Sequence, residues 1–236
     1  KTVSARFVWT GADGVTIHPA PRSFRVHRAV VAIPPTLAGR LAYAPALPAE
    51  RDLPKPIYGM QTWLALPDGK EEIDPAFEAQ TGLPLVEDGC ASARVIMGSL
   101  WGRTAPTTQH SPTIYAEIVL AGGGAIPLDS EAEARAVMLV GGEASVDGVP
   151  LGLYELALLA PGQAMKLASQ RGGRVMLLGG AAIGSPRHVW WNFVSSSRER
   201  INQAKDDWRQ GRFVPVPGED EFIPLPVVPL TSSDPT

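Results

Sequence analysis

The chain has 236 residues, a net charge of −3, 24 Gly, 23 Pro, one Cys and four His. That length holds one large domain or two of roughly 100–150 residues each, and the lone Cys90 excludes an internal disulfide or a Cys-rich zinc ribbon. Dispersed Lys and Arg argue against direct nucleic-acid binding, and no apolar run reaches the roughly 18–20 residues of a membrane span or marks a signal peptide behind Lys1–Arg6, so a cytoplasmic protein is expected.

The first 56 residues are rich in Pro and Ala, and 24–33 has the composition of one strand. Residues 37–50 follow neither a two-residue nor a 3.6-residue period, and their prolines forbid a central strand. Residues 50–56 are polar and Pro-punctuated and read as a linker. From residue 57 the pattern becomes strand and turn. Segments 57–66, 93–99, 114–120, 136–141, 143–149, 153–159, 164–169 and 174–178 have strand composition, with a weak helix or turn at 74–80. Asp147-Gly148, Pro161-Gly162 and Arg171-Gly172-Gly173 supply turns between them. Short strands with turn signals every 8–12 residues or so predict a sandwich or barrel, and a strand, a tight Pro-Gly turn and a returning strand suit a jelly roll.

One segment has helical periodicity. Ser195–Gln210 opens on serines that can cap it, carries Ile201, Ala204 and Trp208 on one stripe, and closes at Gly211. Beyond Val214 the chain is Pro-rich and should be extended, fraying over 228–236.

Two stretches carry a family resemblance. Gly59-Met60-Gln61-Thr62-Trp63-Leu64-Ala65-Leu66-Pro67 resembles the Gly-x-Gln-x-Trp-x-x-Leu-Pro entry to the second half of pirin-like proteins. The run Gly179 to Phe213 is similar to the bacterial pirin ending, in which a Gly-Pro turn precedes an aromatic strand and a helix. The resemblance implies a bicupin, mainly β, with a cupin-type jelly-roll β-sandwich over 57–227 and one C-terminal α-helix. It makes 1–56 a short, irregular and degenerate β segment of a first cupin. It also implies one Fe(II) held by three His and one Glu in that first cupin, and a quercetin 2,3-dioxygenase type of oxygenase acting on a small aromatic substrate.

The N-terminal residues depart from that pattern. His18-Pro19 matches the start of the family's His-Pro-His pair, but Ala20 follows; Ala38-Gly39-Arg40 matches the approach to the His-x-Glu motif, but neither His nor Glu follows. An oxygenase iron needs several His or carboxylate ligands with positions left open. His18 and His27, nine positions on, are the candidate metal pair, with Glu50 the nearest carboxylate downstream.

The remaining chemistry-bearing residues read as structural. His110 lies in a polar turn, and His188 stands beside Trp190 and Trp191, where a half-buried His bonded to backbone is expected. Glu117 is a carboxylate on a strand face. Cys90 has acidic neighbours, which work against a thiolate nucleophile. Gly122-Gly123-Gly124 is followed by neither Lys-Ser/Thr nor a helix start and is a turn. The expectation is a pirin-like cupin with an impaired or absent iron site. The alternatives are a quercetinase-like iron dioxygenase, and a metal-independent module acting on a protein partner or as a homodimer. No catalytic residue is assignable.

Overall fold

The structure, a computed structural model, describes residues 15–19, 24–26, 60, 62–76, 78–128, 132–214 and 222–226. His27, Glu50, most of the 24–33 strand, the 50–56 linker and the 228–236 tail lie outside the described residues. What is described falls into two compact units. One joins 78–182 to the two N-terminal strands, and the other joins 60–76 to 183–226.

The first unit is built on an eight-stranded sheet. Its strands are β1 (Val15–Pro19), β2 (Phe24–Val26), β3 (Leu85–Asp88), β4 (Ala91–Met97), β7 (Thr113–Leu120), β9 (Ala134–Gly142), β12 (Leu156–Leu159) and β14 (Gly173–Gly180). Their order across the sheet is β2-β1-β12-β9-β14-β7-β4-β3. All its neighbours are antiparallel except β1 and β12, which run parallel with His18 opposite Ala157. A four-stranded sheet accompanies it, made of β11 (Val149–Pro150), β10 (Ser145–Val146), β13 (Met165–Ala168) and β8 (Ala125–Leu128) in that order. A hairpin of β5 (Ser99–Leu100) and β6 (Arg103–Thr104) completes the unit.

Side-chain alternation decides which residues meet between the sheets. In β7, Ile114, Ala116, Ile118 and Leu120 are buried, while Thr113, Tyr115, Glu117 and Val119 are half-buried. The buried set joins Val95, Val137, Leu139, Val175 and Leu177 of the large sheet. Ile126, Leu128, Val146 and Leu167 of the small sheet belong to the same cluster. Burying a Val, Leu or Ile side chain is worth about 1.5–3 kcal/mol, so this one layer is the main stabiliser of the sandwich.

The turns behave as their residues dictate. Asp147 and Gly148 both take positive φ, at 47° and 81°, the requirement of the tight hairpin turn that matches the twist of its strands. The Gly122–Gly124 segment turns through Gly124 N–H to Ala121 O at 3.0 Å and Gly123 N–H to Gln170 O at 3.1 Å.

The second unit contains α1 (Arg198–Arg209) and a hairpin of β15 (His188–Trp190) and β16 (Phe193–Ser195). Ser197 is the N-cap, its hydroxyl accepting from Arg200 N–H at 3.2 Å. The helix ends where Gly211 takes φ 65° and donates to Trp208 O. Ile201 and Ala204 are buried against Phe193, with Trp190, Trp191, Trp208, Phe213 and Leu225 around them.

Two expected elements are corrected. Residues 62–66, expected as a strand, form no ladder. Arg187 Nη2 instead donates to Leu66 O at 2.8 Å. The described part of 74–80 is not helical. Pro75 removes a backbone donor there, and the Glu78 carboxylate accepts from Thr108 N–H and from Gln80.

Candidate functional site

The interior of a cupin is where its ligands would stand, so the inward side chains decide what the sandwich can do. In register, Val175 faces Ile118, Leu177 faces Ala116 on one side and Val137 on the other, and Val95 faces Ala116. Ala116, Ile118, Val137 and Val175 are fully buried. These are hydrocarbon side chains with no donor for a metal. Among the described residues no group of three or more His, Cys, Asp or Glu is placed to hold one. Among the described residues, the inner face of the 78–182 sandwich therefore does not fit an iron centre.

The sequence candidates are scattered. His18 is the penultimate residue of β1, a strand that extends the large sheet through β12. His27 and Glu50 are outside the described residues. His188 begins β15, half-buried and opposite Ser195, and its charge helps lower the Glu199 carboxyl. The larger influences on Glu199 are its own backbone N–H and the Ser197 hydroxyl. Glu117 is half-buried and paired with Arg174 at 2.5 Å, so it is held in an ion pair rather than left in open solvent. Cys90 is a half-buried free thiol whose Sγ lies 3.6 Å from Ala125 O.

One concave feature of the sandwich had no sequence signal. A cavity of about 280 Å³ opens where the starts of β5, β7 and β9 meet the ends of β8 and β14. Its apolar lining comes from Leu100, Ile114, Leu128 and Leu177, all buried. Its polar lining includes Thr113, Glu133 and Arg135. Arg135 is only 5% exposed. Its Nη1 donates to Leu128 O at 3.3 Å, and its Nη2 to Ala160 O at 2.9 Å and Gln163 O at 2.5 Å. Glu133 accepts from Ala182 N–H at 3.1 Å.

The second unit has a polar centre of its own. The Arg187 side chain is 8% exposed and pairs with Asp68 at 2.7 Å and Glu71 at 3.3 Å. Hydrogen bonds from Ser185 and Arg187 hold the Asp68 carboxyl below its ordinary range. Burial pushes Glu71 up, but hydrogen bonds from Ser196 and Ser195 and the Arg187 charge outweigh it, so its pKa is also lowered. These groups lock 62–76 to 183–196 through ion pairs and hydrogen bonds.

Two facing sheets around one apolar layer, with a following hairpin and a C-terminal helix, define a mainly β protein of cupin type. Residues 115–214 match the pirin C-terminal cupin domain. The chain is 42% identical over 172 residues to a pirin-like protein of Caulobacter vibrioides, covering 71% of this chain and 59% of that one. It is 24% identical to Pirin-1 of Arabidopsis thaliana, over 65% of this chain and 57% of the other. A crystal structure of a quercetin 2,3-dioxygenase from Acinetobacter baumannii superposes with a TM-score of 0.66 and 28% identity, covering 72% of this chain and 58% of that one. The chain belongs to the pirin family, and it spans less than two thirds of the length of each of these relatives.

Proposed function

We propose that this chain is a pirin-type cupin that binds iron weakly or not at all, its C-terminal sandwich acting as a packed scaffold. The observation that carries this is the loss of ligand residues from the family's motifs in the first cupin segment: Ala20 follows His18-Pro19, and neither His nor Glu follows Ala38-Gly39-Arg40. An oxygenase iron needs several nitrogen or oxygen ligands and open positions. Of the residues matching the family's ligand motifs, His18 alone is present, and Ala20 stands where the second His is expected. The test is elemental analysis of the full chain after anaerobic loading with Fe(II) and desalting. Iron well below one atom per chain is expected, with no change in Fe content on His18→Ala. One iron per chain, lost in His18→Ala, would overturn the reading.

A second reading is favoured by the likeness to the Acinetobacter baumannii quercetin 2,3-dioxygenase. In it the chain is an iron-dependent oxygenase of that type, with His18 and His27 as ligands. Oxygen uptake with quercetin, dependent on added Fe(II) and abolished by His18→Ala, would establish it. An absence of uptake at one iron per chain would exclude it.

A further inference from the structure

We propose that the free edge of β3 is a docking site for a basic, extended segment of a partner protein, which adds to the large sheet as a further strand. β3 (Leu85–Asp88) is the last strand at its end of that sheet, and among the described strands it pairs with β4 alone. The register decides which backbone groups look outward. Val95 N–H donates to Pro84 O at 2.9 Å, so Pro84 and Val95 form a hydrogen-bonded pair. In an antiparallel ladder such pairs alternate with pairs that are not bonded. Val86 and Asp88 therefore turn towards β4, while the N–H and C=O of Leu85 and Glu87 point away from the sheet. Among the described residues nothing bonds these four groups. Leu85 is 50% exposed, and Glu87 and Asp88 are exposed as well, so the edge is open to an arriving chain.

The small sheet closes its own edges. β8 and β11 bound it on either side, and they carry Pro127 and Pro150. Ser169 N–H donates to Gly124 O at 2.9 Å, and Leu151 N–H to Ala144 O at 2.8 Å. By the same alternation both prolines stand where an N–H would face outward. Proline there denies a new strand its donor. β3 contains neither proline nor lysine, the residues that commonly blunt an edge.

Charge selects the occupant. Glu87 and Asp88 place one carboxylate on each face at one end of β3, and Leu85 and Val86 place apolar side chains at the other. A second copy pairing here would crowd four carboxylates along one short ladder, and like charges across a ladder are destabilising. A strand with Lys or Arg beside Glu87 and Asp88 gains cross-strand ion pairs instead. Beside Leu85 an apolar residue is favoured, because the exposed Arg94 stands opposite Leu85 on β4 and repels a cation. Run antiparallel, the complement reads two cations and then two apolar residues. Main-chain hydrogen bonds supply the affinity of such an added strand, and side chains supply the choice.

The experiment titrates isotope-labelled full chain with the peptide acetyl-Ser-Lys-Arg-Val-Tyr-Ser-amide, following amide resonances and their exchange with solvent. Saturable binding is expected, with exchange at the Leu85 and Glu87 N–H groups slowed at least tenfold. N-methylation of the peptide's Arg and Tyr keeps its charge, removes the donors that face β3, and should weaken binding at least tenfold. Glu87→Lys with Asp88→Lys should weaken the basic peptide at least tenfold and admit its counterpart with Glu and Asp in place of Lys and Arg. If that double variant unfolds early, Glu87→Gln with Asp88→Asn removes the charges alone and should weaken the basic peptide at least threefold. Binding indifferent to N-methylation or to a stable charge variant overturns the proposal. So does unslowed exchange at Leu85 and Glu87, or pairing of two copies through β3 in place of peptide uptake. The titration contains no iron, so its outcome is separate from that of the iron assay.

Discussion

Replacing Trp208 with Ala tests how the C-terminal helix is held. The indole lies 5.2 Å from Trp191 and 5.4 Å from Phe213 in edge-to-face geometry, and 5.6 Å from Phe222 in a stack. Its Nε1–H donates to Ile223 O at 2.9 Å. Truncating a core Trp or Phe to Ala costs about 3–5 kcal/mol. Trp208 is half-buried, which places it at the low end, and each aromatic pair adds about 0.5–1.5 kcal/mol beyond its buried area. A loss of about 3 kcal/mol follows. Trp208→Phe keeps a ring and removes the donor, so it should lose about 1 kcal/mol. Urea unfolding followed by near-ultraviolet circular dichroism reads the change. With a slope of about 2 kcal/mol per molar urea, the midpoint of the 183–226 unit should fall by about 1.5 M in the Ala variant. An unchanged midpoint would refute docking through Trp208, and equal losses in the two variants would refute a separate contribution from the rings.

Two further outcomes follow from local geometry. Gly98 has φ 81°, and an added Cβ would collide with the backbone carbonyl of Thr113. Gly123 has φ 78° with open space around it. Gly123→Ala should therefore lose about 1 kcal/mol for conformation alone and Gly98→Ala at least about 2–3 kcal/mol, measured as thermal midpoints; equal shifts would remove the steric argument. The lowered carboxyls of Asp68 and Glu71 set the acid response of the second unit. Their contribution is fully present above the unfolded values near 4 and is lost as pH falls through the lower folded values. Tryptophan-detected stability should thus fall below about pH 4, less steeply in Asp68→Asn, and a flat profile between pH 5 and 3 would contradict it.

The longer strands were legible from their strand composition: the segments 114–120, 136–141 and 174–178 fall in β7 (Thr113–Leu120), β9 (Ala134–Gly142) and β14 (Gly173–Gly180). The helix was legible from its serine cap and the Ile201, Ala204 and Trp208 stripe, and it starts at Arg198 because the Ser197 hydroxyl turns back onto Arg200 N–H. Two-residue strands such as Ser99–Leu100 are too short to show a period. Leu85–Asp88 was also missed, because an exposed Leu85, Glu87 and Asp88 give an edge strand no apolar face. Residues 62–66 misled in the opposite direction, since aromatic and aliphatic content is shared by strands and by coil packed under a buried arginine. The cavity was illegible because Leu100, Thr113, Leu128, Glu133 and Leu177 come from separate segments, and only pairing β7 with β14 and β14 with β9 brings those strand ends together.

A cupin that holds a metal must give inner-face positions to ligands, and each such ligand displaces hydrocarbon from the layer between the sheets. Here Ile118, Val137 and Val175 are fully buried on three adjacent strands, each worth about 1.5–3 kcal/mol. Exchanging the three for His or Glu would forfeit about 5–9 kcal/mol of burial, comparable with the whole stability of an ordinary domain, before desolvation of the new polar groups. Such a site could form only if metal binding returned a similar amount. Apolar filling across these strands therefore makes the sandwich stable without a metal and unsuited to one. At the strand ends the filling is not purely apolar, because Arg135 is buried there with its Nη1 and Nη2 donating to the carbonyls of Leu128, Ala160 and Gln163.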